Sequence, residues 1–476
     1  MANNLAQGAA ELRLSNRADL IQALTVASQL EHGLMLMYLY AAFSMKSFTK
    51  EFAPAKDPEV LRNKVRDWEA RILLVARQEM EHLGFVCNML TAIGGNQYFD
   101  RPNFPAPNQY WPVDLPIELE RFDRMSLLRF MAYEKPEKLV DSLMDPLLAE
   151  LKPPKRKLGA PQPIEVRFTS IGDLYKQIRL AFEFLPDDQL FVVPPASQVN
   201  NDTLFGDGSM TKPTYDMFIF KVYDRLSAMN AVDEIIEQGE GTLSNQPVTI
   251  DQLDPGCHYM LFRSIFIDYM GGEAKVANPE PYFDAARKCV KNPAWELHQD
   301  TITRTEFYGI NPPQPEMSVA IITHPWTRDL MGITNTAYES LMQMLIRLYT
   351  GADSPNEING LVQTVFFPMM TMVIRPLSEL MSLLPAFKDN AGGFTAGAGF
   401  EFFRTIGFLP HKPAAWITIH QRLSENAANF SEALNPVPDD IKKTLSKAGY
   451  NPDVALPFIA QNLKRIAMNF QSYMKV

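Results

Sequence analysis

Two apolar stripes of helical spacing each run straight through ionisable positions. The first comprises Leu20, Leu24, Ala27, Leu34, Met35, Tyr38 and Ala42, with Glu31 in its middle; the second comprises Ile72, Val75, Ala76, Leu83, Val86 and Leu90, interrupted by Glu79 and His82. Both follow the i, i+3, i+4, i+7 pattern of a helix face turned towards a core. A carboxylate in such a face is costly unless it is paired or bound to a metal. A helix bundle with a polar site in its interior satisfies both demands.

The first helix is expected to start after Ser15 or Asn16, either a competent N-cap, and to reach about Ser44. The second is expected over 58–93, ended by Gly94-Gly95. Residues 96–214 are rich in proline and read as a long, partly ordered crossover covering the bundle, with short helices near 125–133 and 170–183. A third bundle helix is expected over 215–238, with Val222, Leu226, Met229, Asp233, Ile236, Glu237 and Glu240 on one face, and a fourth over 258–270. Beyond residue 300, helices are expected over 333–349, 356–384, 413–433 and 453–472, with breaks at Asn311-Pro312-Pro313 and Gly392 to Gly399. The expected fold is all-α: a four-helix bundle over 1–300, with its crossover at 96–214, and a helical C-terminal region over 301–476 packed on it.

Glu31 and Glu79-x-x-His82 supply three donors of the kind that hold iron or manganese in a bundle core. Glu237 and His258 are the candidates for the other half, and Glu240, one turn beyond Glu237, is a further ligand or an acid/base group. Pro255 stands where a full second set would carry a carboxylate, three residues before His258. The helix of His258 is therefore expected to give only its histidine, with Glu240 replacing the missing carboxylate, and the site is a single ion or an asymmetric pair. Tyr38 is assigned to the reacting pocket. His32 lies about 100° round the helix from Glu31 and is expected to pack or support; Glu81 faces away from Glu79 and is expected in solvent. The competing explanation is that the buried carboxylates pair with Arg77 or Arg225.

The formal net charge of −10 argues against a nucleic-acid binder, which needs a basic stripe. The longest apolar run, 361–374, is broken by polar residues and Pro368 and is too short to cross a bilayer. Three cysteines without a Cys-x-x-Cys, and a start lacking a secretory signal, point to a reducing, cytoplasmic setting.

Several segments resemble one family. They are Leu30-Glu31-His32 with Tyr38-Leu39-Tyr40-Ala41-Ala42, Gln78-Glu79-Met80-Glu81-His82, Ala92-Ile93-Gly94-Gly95, Ser170-Ile171-Gly172-Asp173-Leu174-Tyr175, Ile235-Ile236-Glu237-Gln238-Gly239-Glu240-Gly241 and His258-Tyr259-x-x-Phe262. Over about residues 15–272 the chain is similar to the ferritin-like domain named for iminophenyl-pyruvate dimer synthase, an enzyme of violacein-type bisindole biosynthesis. The resemblance implies a ferritin-like bundle, metal ligation by Glu31, Glu79, His82, Glu237 and His258, and oxidative chemistry. The expected function is a non-haem iron oxidase or oxygenase with one or two ions, using dioxygen on a small organic substrate such as an amino-acid-derived imine. Manganese and zinc suit the same ligands. The alternatives are a metal-binding or ferroxidase protein without an organic substrate, and a helical scaffold with a degenerate site. Oligomeric state is not legible.

Overall fold

The computed structural model describes residues 12–106, 115–151, 168–191, 198–201, 218–239, 241–242, 246–297, 319–351 and 353–473. Among the described residues, six helices of more than ten residues build the N-terminal body: α1 (Arg17–Ser44), α2 (Pro58–Ala92), α3 (Arg124–Glu134), α4 (Ile171–Phe184), α5 (Arg225–Gly239) and α6 (His258–Met270), with single helical turns at Asp145–Leu148 and Asp187–Leu190. Five more follow: α7 (Pro325–Thr350), α8 (Pro355–Leu361, continued through two irregular turns to Arg375–Met381), α9 (Lys412–Ala433), α10 (Asp439–Ala448) and α11 (Pro452–Tyr473). Of these, α10 lies outside the expected helices. Among the described residues, strands amount to two short parallel pairs, Leu139–Val140 with Val248–Thr249 and Pro293–Ala294 with Ala320–Ile321. The all-α expectation holds. None of the described helices is long and apolar enough to cross a membrane.

The long hairpin forms as its sequence dictates. Asn16 caps α1 by accepting from the Asp19 amide. Pro58 opens α2, where its missing N–H costs nothing. Gly94 takes a left-handed φ of 76° and the Gly95 amide closes on Leu90 O at 2.8 Å, which ends that helix. The two helices pack along their length. Against them sit four short helices in two pairs, α3 with α6 and α4 with α5. The second half of the bundle is thus assembled from four pieces, two of them drawn from the Pro-rich crossover. That segment is part of the bundle wall, not only a cover.

Helix α5 starts about ten residues later than expected. Residues 218–223 are extended instead, with Ile219 and Val222 buried and Phe218 and Tyr223 exposed. Side-chain amides replace a neighbouring strand: Asn88 Nδ2 donates to Phe220 O at 2.8 Å, and Gln198 Oε1 accepts from the Val222 amide at 2.6 Å. Gly84 lets this segment lie on α2, since a Cβ there would stand 2.5 Å from Ile219 Cδ1. Asp224 then caps α5, its carboxylate accepting from the Ser227 amide at 2.8 Å. The buried residues of α5 are Ser227, Ala228, Ala231, Val232, Ile235, Ile236 and Gly239; of the expected face Ile236 is buried, whereas Leu226 and Glu237 point out. Ala228 and Ala231, small residues on the inner face, were not part of the expected stripe.

The C-terminal helices cover the outer face of the hairpin, so α1 is buried nearly all round along its second half. Helix α8 opens as Pro355–Leu361 and ends as Arg375–Met381, with π-helical turns at Val362–Phe366 and Met370–Ile374. Each π turn ends two residues before a proline, Pro368 or Pro376, whose ring excludes the ordinary bond to the carbonyl four residues back. Tyr349 Oη donates to Gly84 O at 3.3 Å, and His32 Nε2 is hydrogen-bonded to Tyr338 Oη, fixing α7 to the hairpin.

Candidate metal centre

Each helix of the N-terminal body sends a polar group to one buried point: Glu31 from α1, Glu79 and His82 from α2, Glu134 from α3, Tyr175 from α4, Gln238 from α5 and His258 from α6. The five ionisable residues are at most 5% exposed. They form two triads, Glu31–Glu79–His82 and Glu79–Glu134–His258, whose ligand atoms in each case lie within 4.8 Å of one another. Glu79 belongs to both. Its Oε2 lies 3.2 Å from His82 Nδ1 and its Oε1 3.0 Å from His258 Nδ1. Glu31 Oε2 completes one side at 3.4 Å from His82 Nδ1, and Glu134 Oε2 the other at 3.3 Å from His258 Nδ1. The two imidazole rings are 5.4 Å apart and nearly parallel.

The surrounding bonds orient these groups. Tyr175 Oη donates to Glu31 Oε1 and Tyr38 Oη donates to Glu134 Oε1, so each outer carboxylate has one oxygen occupied and the other turned inward. Gln238 Oε1 stands 3.1 Å from His82 Nε2 and accepts its proton, which turns Nδ1 towards the carboxylates; against the effect of burial, their hydrogen bonds and charges hold the imidazole well above the ordinary histidine range. His258 is fully buried and neither ring nitrogen has a hydrogen-bond partner, although two carboxylates flank Nδ1. Its Nδ1 is thus ion-paired between Glu79 and Glu134, while its Nε2 is buried with no polar partner. Three carboxylates and two imidazoles are a donor set that would hold a pair of divalent ions, with Glu79 common to both groups.

The electrostatics point the same way. Burial, then the neighbouring Glu79 charge, pushes Glu31 up to about 8. Burial works against the Glu79 carboxylate too, but hydrogen bonding from Glu31 and the charge of His258 hold it well below its ordinary range. Burial opposes protonation of His258, yet Glu79 and Glu134 raise it to about 9. Burial and adjacent carboxylates hold the Tyr38 and Tyr175 phenols far above the ordinary tyrosine range. Such mutual neutralisation in a dry interior is the setting that bound cations replace.

The structure therefore brings Glu31, Glu79, His82 and His258 together. Glu237 is exposed on α5 and stands outside the cluster; its neighbour Gln238 points in. Glu240 lies outside the described residues. The carboxylate missing at Pro255 is supplied by Glu134, which the sequence reading passed over. It was findable: Leu127, Phe130, Met131 and Glu134 repeat the spacing that singled out Glu31. Tyr38 is committed to Glu134 within a sealed interior. Glu81, expected in solvent, is 2% exposed beneath the extended segment, and burial pushes it up to about 7. Neither arginine offered as a partner reaches the cluster: Arg225 pairs with Asp187 at 2.7 Å and Arg77 lies beside Glu81.

An all-α bundle converging carboxylates and imidazoles on one point defines a class, and the chain belongs to the ferritin-like family, whose model matches residues 24–267. Its relatives include dichlorochromopyrrolate synthase of Lentzea aerocolonigenes, 28% identical over 91% of this chain and 40% of that protein. The 2-imino-3-(indol-3-yl)propanoate dimerase of Chromobacterium violaceum is 25% identical over 81% of this chain and 34% of that protein. The chain thus spans less than half the length of these relatives. A crystal structure of a ferritin-like protein from Caulobacter vibrioides shares 17% identity at a TM-score of 0.38, covering 72% of this chain and 93% of that one.

Proposed function

We propose that the chain is a metal-dependent oxidase of natural-product biosynthesis that couples small, amino-acid-derived imines at the expense of dioxygen. The observation that carries the reading is the two buried triads sharing Glu79, with His258 set between Glu79 and Glu134. Glu31, Glu79 and His82 would hold one ion; Glu79, Glu134 and His258 would hold the other. Iron is favoured because the donors are mixed carboxylate and imidazole and the chemistry is redox. Bound there, the ions supply electron transfer between substrate and dioxygen. Joining two substrate carbons with loss of two hydrogens releases two electrons and two protons, which dioxygen takes up as hydrogen peroxide.

The chain's own groups set the conditions. Tyr175 and Tyr38 keep the outer carboxylates from rotating, and Gln238 fixes the His82 tautomer. The surrounding apolar packing, including Phe130 and Phe262 against Tyr38, excludes water. The names of the two curated relatives support the substrate class. Elemental analysis combined with dioxygen uptake tests the reading. Two irons per chain are expected, with dioxygen consumed when an amino-acid-derived imine is supplied. Protein that retains no metal after iron loading, or iron-loaded protein that never consumes dioxygen with such imines or a reductant, would overturn it.

A further inference from the structure

A second chamber lies behind the hairpin. A cavity of about 290 Å³ separates the outer faces of α1 and α2 from α7 and α8. On α1 His32, Leu36 and Phe43, and on α2 Arg77 and Gly84, fall roughly 100° or more round from Glu31 and Glu79, whereas Met35 and Leu83 lie about 40° from them, so the two chambers adjoin across the hairpin. Leu39, Leu73, Met80, Leu345, Phe367 and Met370 pack on the core yet keep accessible surface towards this space. Wetting such a wall costs about 25 cal/mol per Å², which a ligand of matching surface recovers. The α8 wall is built on its two π-helical turns, which bring Phe366, Phe367, Met370, Thr371 and Ile374 to the cavity. Departures of this kind from a regular helix are frequent at functional sites.

The polar groups at this wall are nearly all engaged elsewhere. His32 is bonded to Tyr338, Tyr349 donates to Gly84 O, Thr371 donates to Phe367 O at 2.9 Å, and Arg375 pairs with Glu379 at 2.7 Å. Arg77 differs. Its Nε is buried without a hydrogen bond, and the Glu81 oxygen beside it, 3.9 Å away, likewise has none. The Nε side is thus turned to Glu81, while the Nη groups make no hydrogen bond among the described residues; that Nη edge, at an apolar chamber, fits a carboxylate, which accepts two parallel N–H bonds. A doubly charged anion would meet the Glu81 carboxyl as well.

We propose that this chamber binds a monocarboxylic acid with an apolar body, its carboxylate on Arg77 and its body between the hairpin and α8. The site is independent of the metal cluster. Calorimetry on the full chain with decanoate and 1-decanol tests it. Decanoate is expected to bind one equivalent with a negative heat-capacity change. Arg77→Gln should weaken decanoate about tenfold, the loss of one charge-assisted contact, and leave 1-decanol unchanged. Thr371→Trp, at an exposed position on the α8 wall, should block both ligands, with Leu345→Trp as a second plug and circular dichroism confirming folding. His258→Ala should leave decanoate binding intact, so failure of the metal reading and failure of this one are separable. Absence of saturable binding, binding that survives both plugs, or equal decanoate affinity in Arg77→Gln and wild type would overturn the proposal.

Discussion

The α1–α2 hairpin presents two opposite solutions to burial. Its inner face carries Glu31, Glu79 and His82 against Glu134 and His258, and every apolar neighbour serves to keep those charges dry. Its outer face carries leucine, methionine and phenylalanine against α7 and α8, and leaves an apolar void. The inner chamber is over-determined: six helices each contribute a group, and each outer carboxylate is held by a tyrosine. The outer chamber is held mainly by apolar packing, with the His32–Tyr338 and Tyr349–Gly84 bonds at its wall. Charge demands specific partners at fixed distances, whereas apolar surface accepts any neighbour of suitable volume. The inner face should therefore be intolerant of single-atom changes and the outer face tolerant.

The largest expected effect is on Glu79. Glu79→Ala removes the carboxylate common to both triads, so metal content measured by elemental analysis should fall close to zero. His258→Ala should leave the Glu31–Glu79–His82 ion in place and reduce the content by about half. Equal loss in the two variants would break the assignment of separate triads. On the outer side, Leu341→Ala should lower unfolding stability by about 2–5 kcal/mol, the ordinary cost of a core truncation, without altering metal content. A loss of metal in that variant would show that the chambers are coupled.

Next comes pH. With metal stripped by a chelator, the inner chamber retains protons: Glu31, raised to about 8 by burial and Glu79, and His258, raised to about 9 by Glu79 and Glu134 against the effect of burial. Both folded-state values exceed the unfolded ones, so each contribution favours the folded form at low pH. The Glu31 contribution fades between about 4.5 and 8 and that of His258 between about 6.5 and 9. The melting temperature of the chelated protein should fall as pH rises from 6.5 to 9. Added metal should reverse the trend, because it displaces those protons. A flat profile in chelator would contradict the electrostatic account. Smaller again, Tyr175→Phe or Tyr38→Phe should weaken metal retention about 10- to 100-fold in competition with a chelator, since each frees one carboxylate to rotate.

Much of this was legible because long helices repeat their signal. The bounds of α1, α2 and α6, and the positions of α3 and α4, agree with the sequence patterns within a residue or two. The cluster half on the hairpin stood out because Glu31 and Glu79 interrupt stripes too long to be accidental. The other half was harder for a physical reason: α3, α4 and α5 are 11, 14 and 15 residues long, so a stripe has only three or four positions to declare itself. Proline around α3 and α4 also made the crossover look like a cover, hiding Glu134 and Tyr175. The face of α5 was misjudged in part, since Ala228 and Ala231 face inward while Leu226 points out and Met229 is only half-buried. The pairing of 218–223 with Asn88 and Gln198 is a tertiary contact that no local pattern encodes.

The smallest expected effect tests that misjudged helix. If α5 presents Gln238 and not Glu237 to the cluster, Glu237→Gln changes only a solvated charge and should shift stability by less than about 0.5 kcal/mol, with metal content unchanged. Gln238→Leu keeps the volume but removes the acceptor from His82 Nε2, freeing the tautomer, and should weaken metal retention as the tyrosine variants do. The pair therefore measures the rotation of one short helix. If Glu237→Gln were the variant that lost metal, α5 would have to turn by roughly 100° about its axis, and the Glu31–Glu79–His82 triad would need to be redrawn around it.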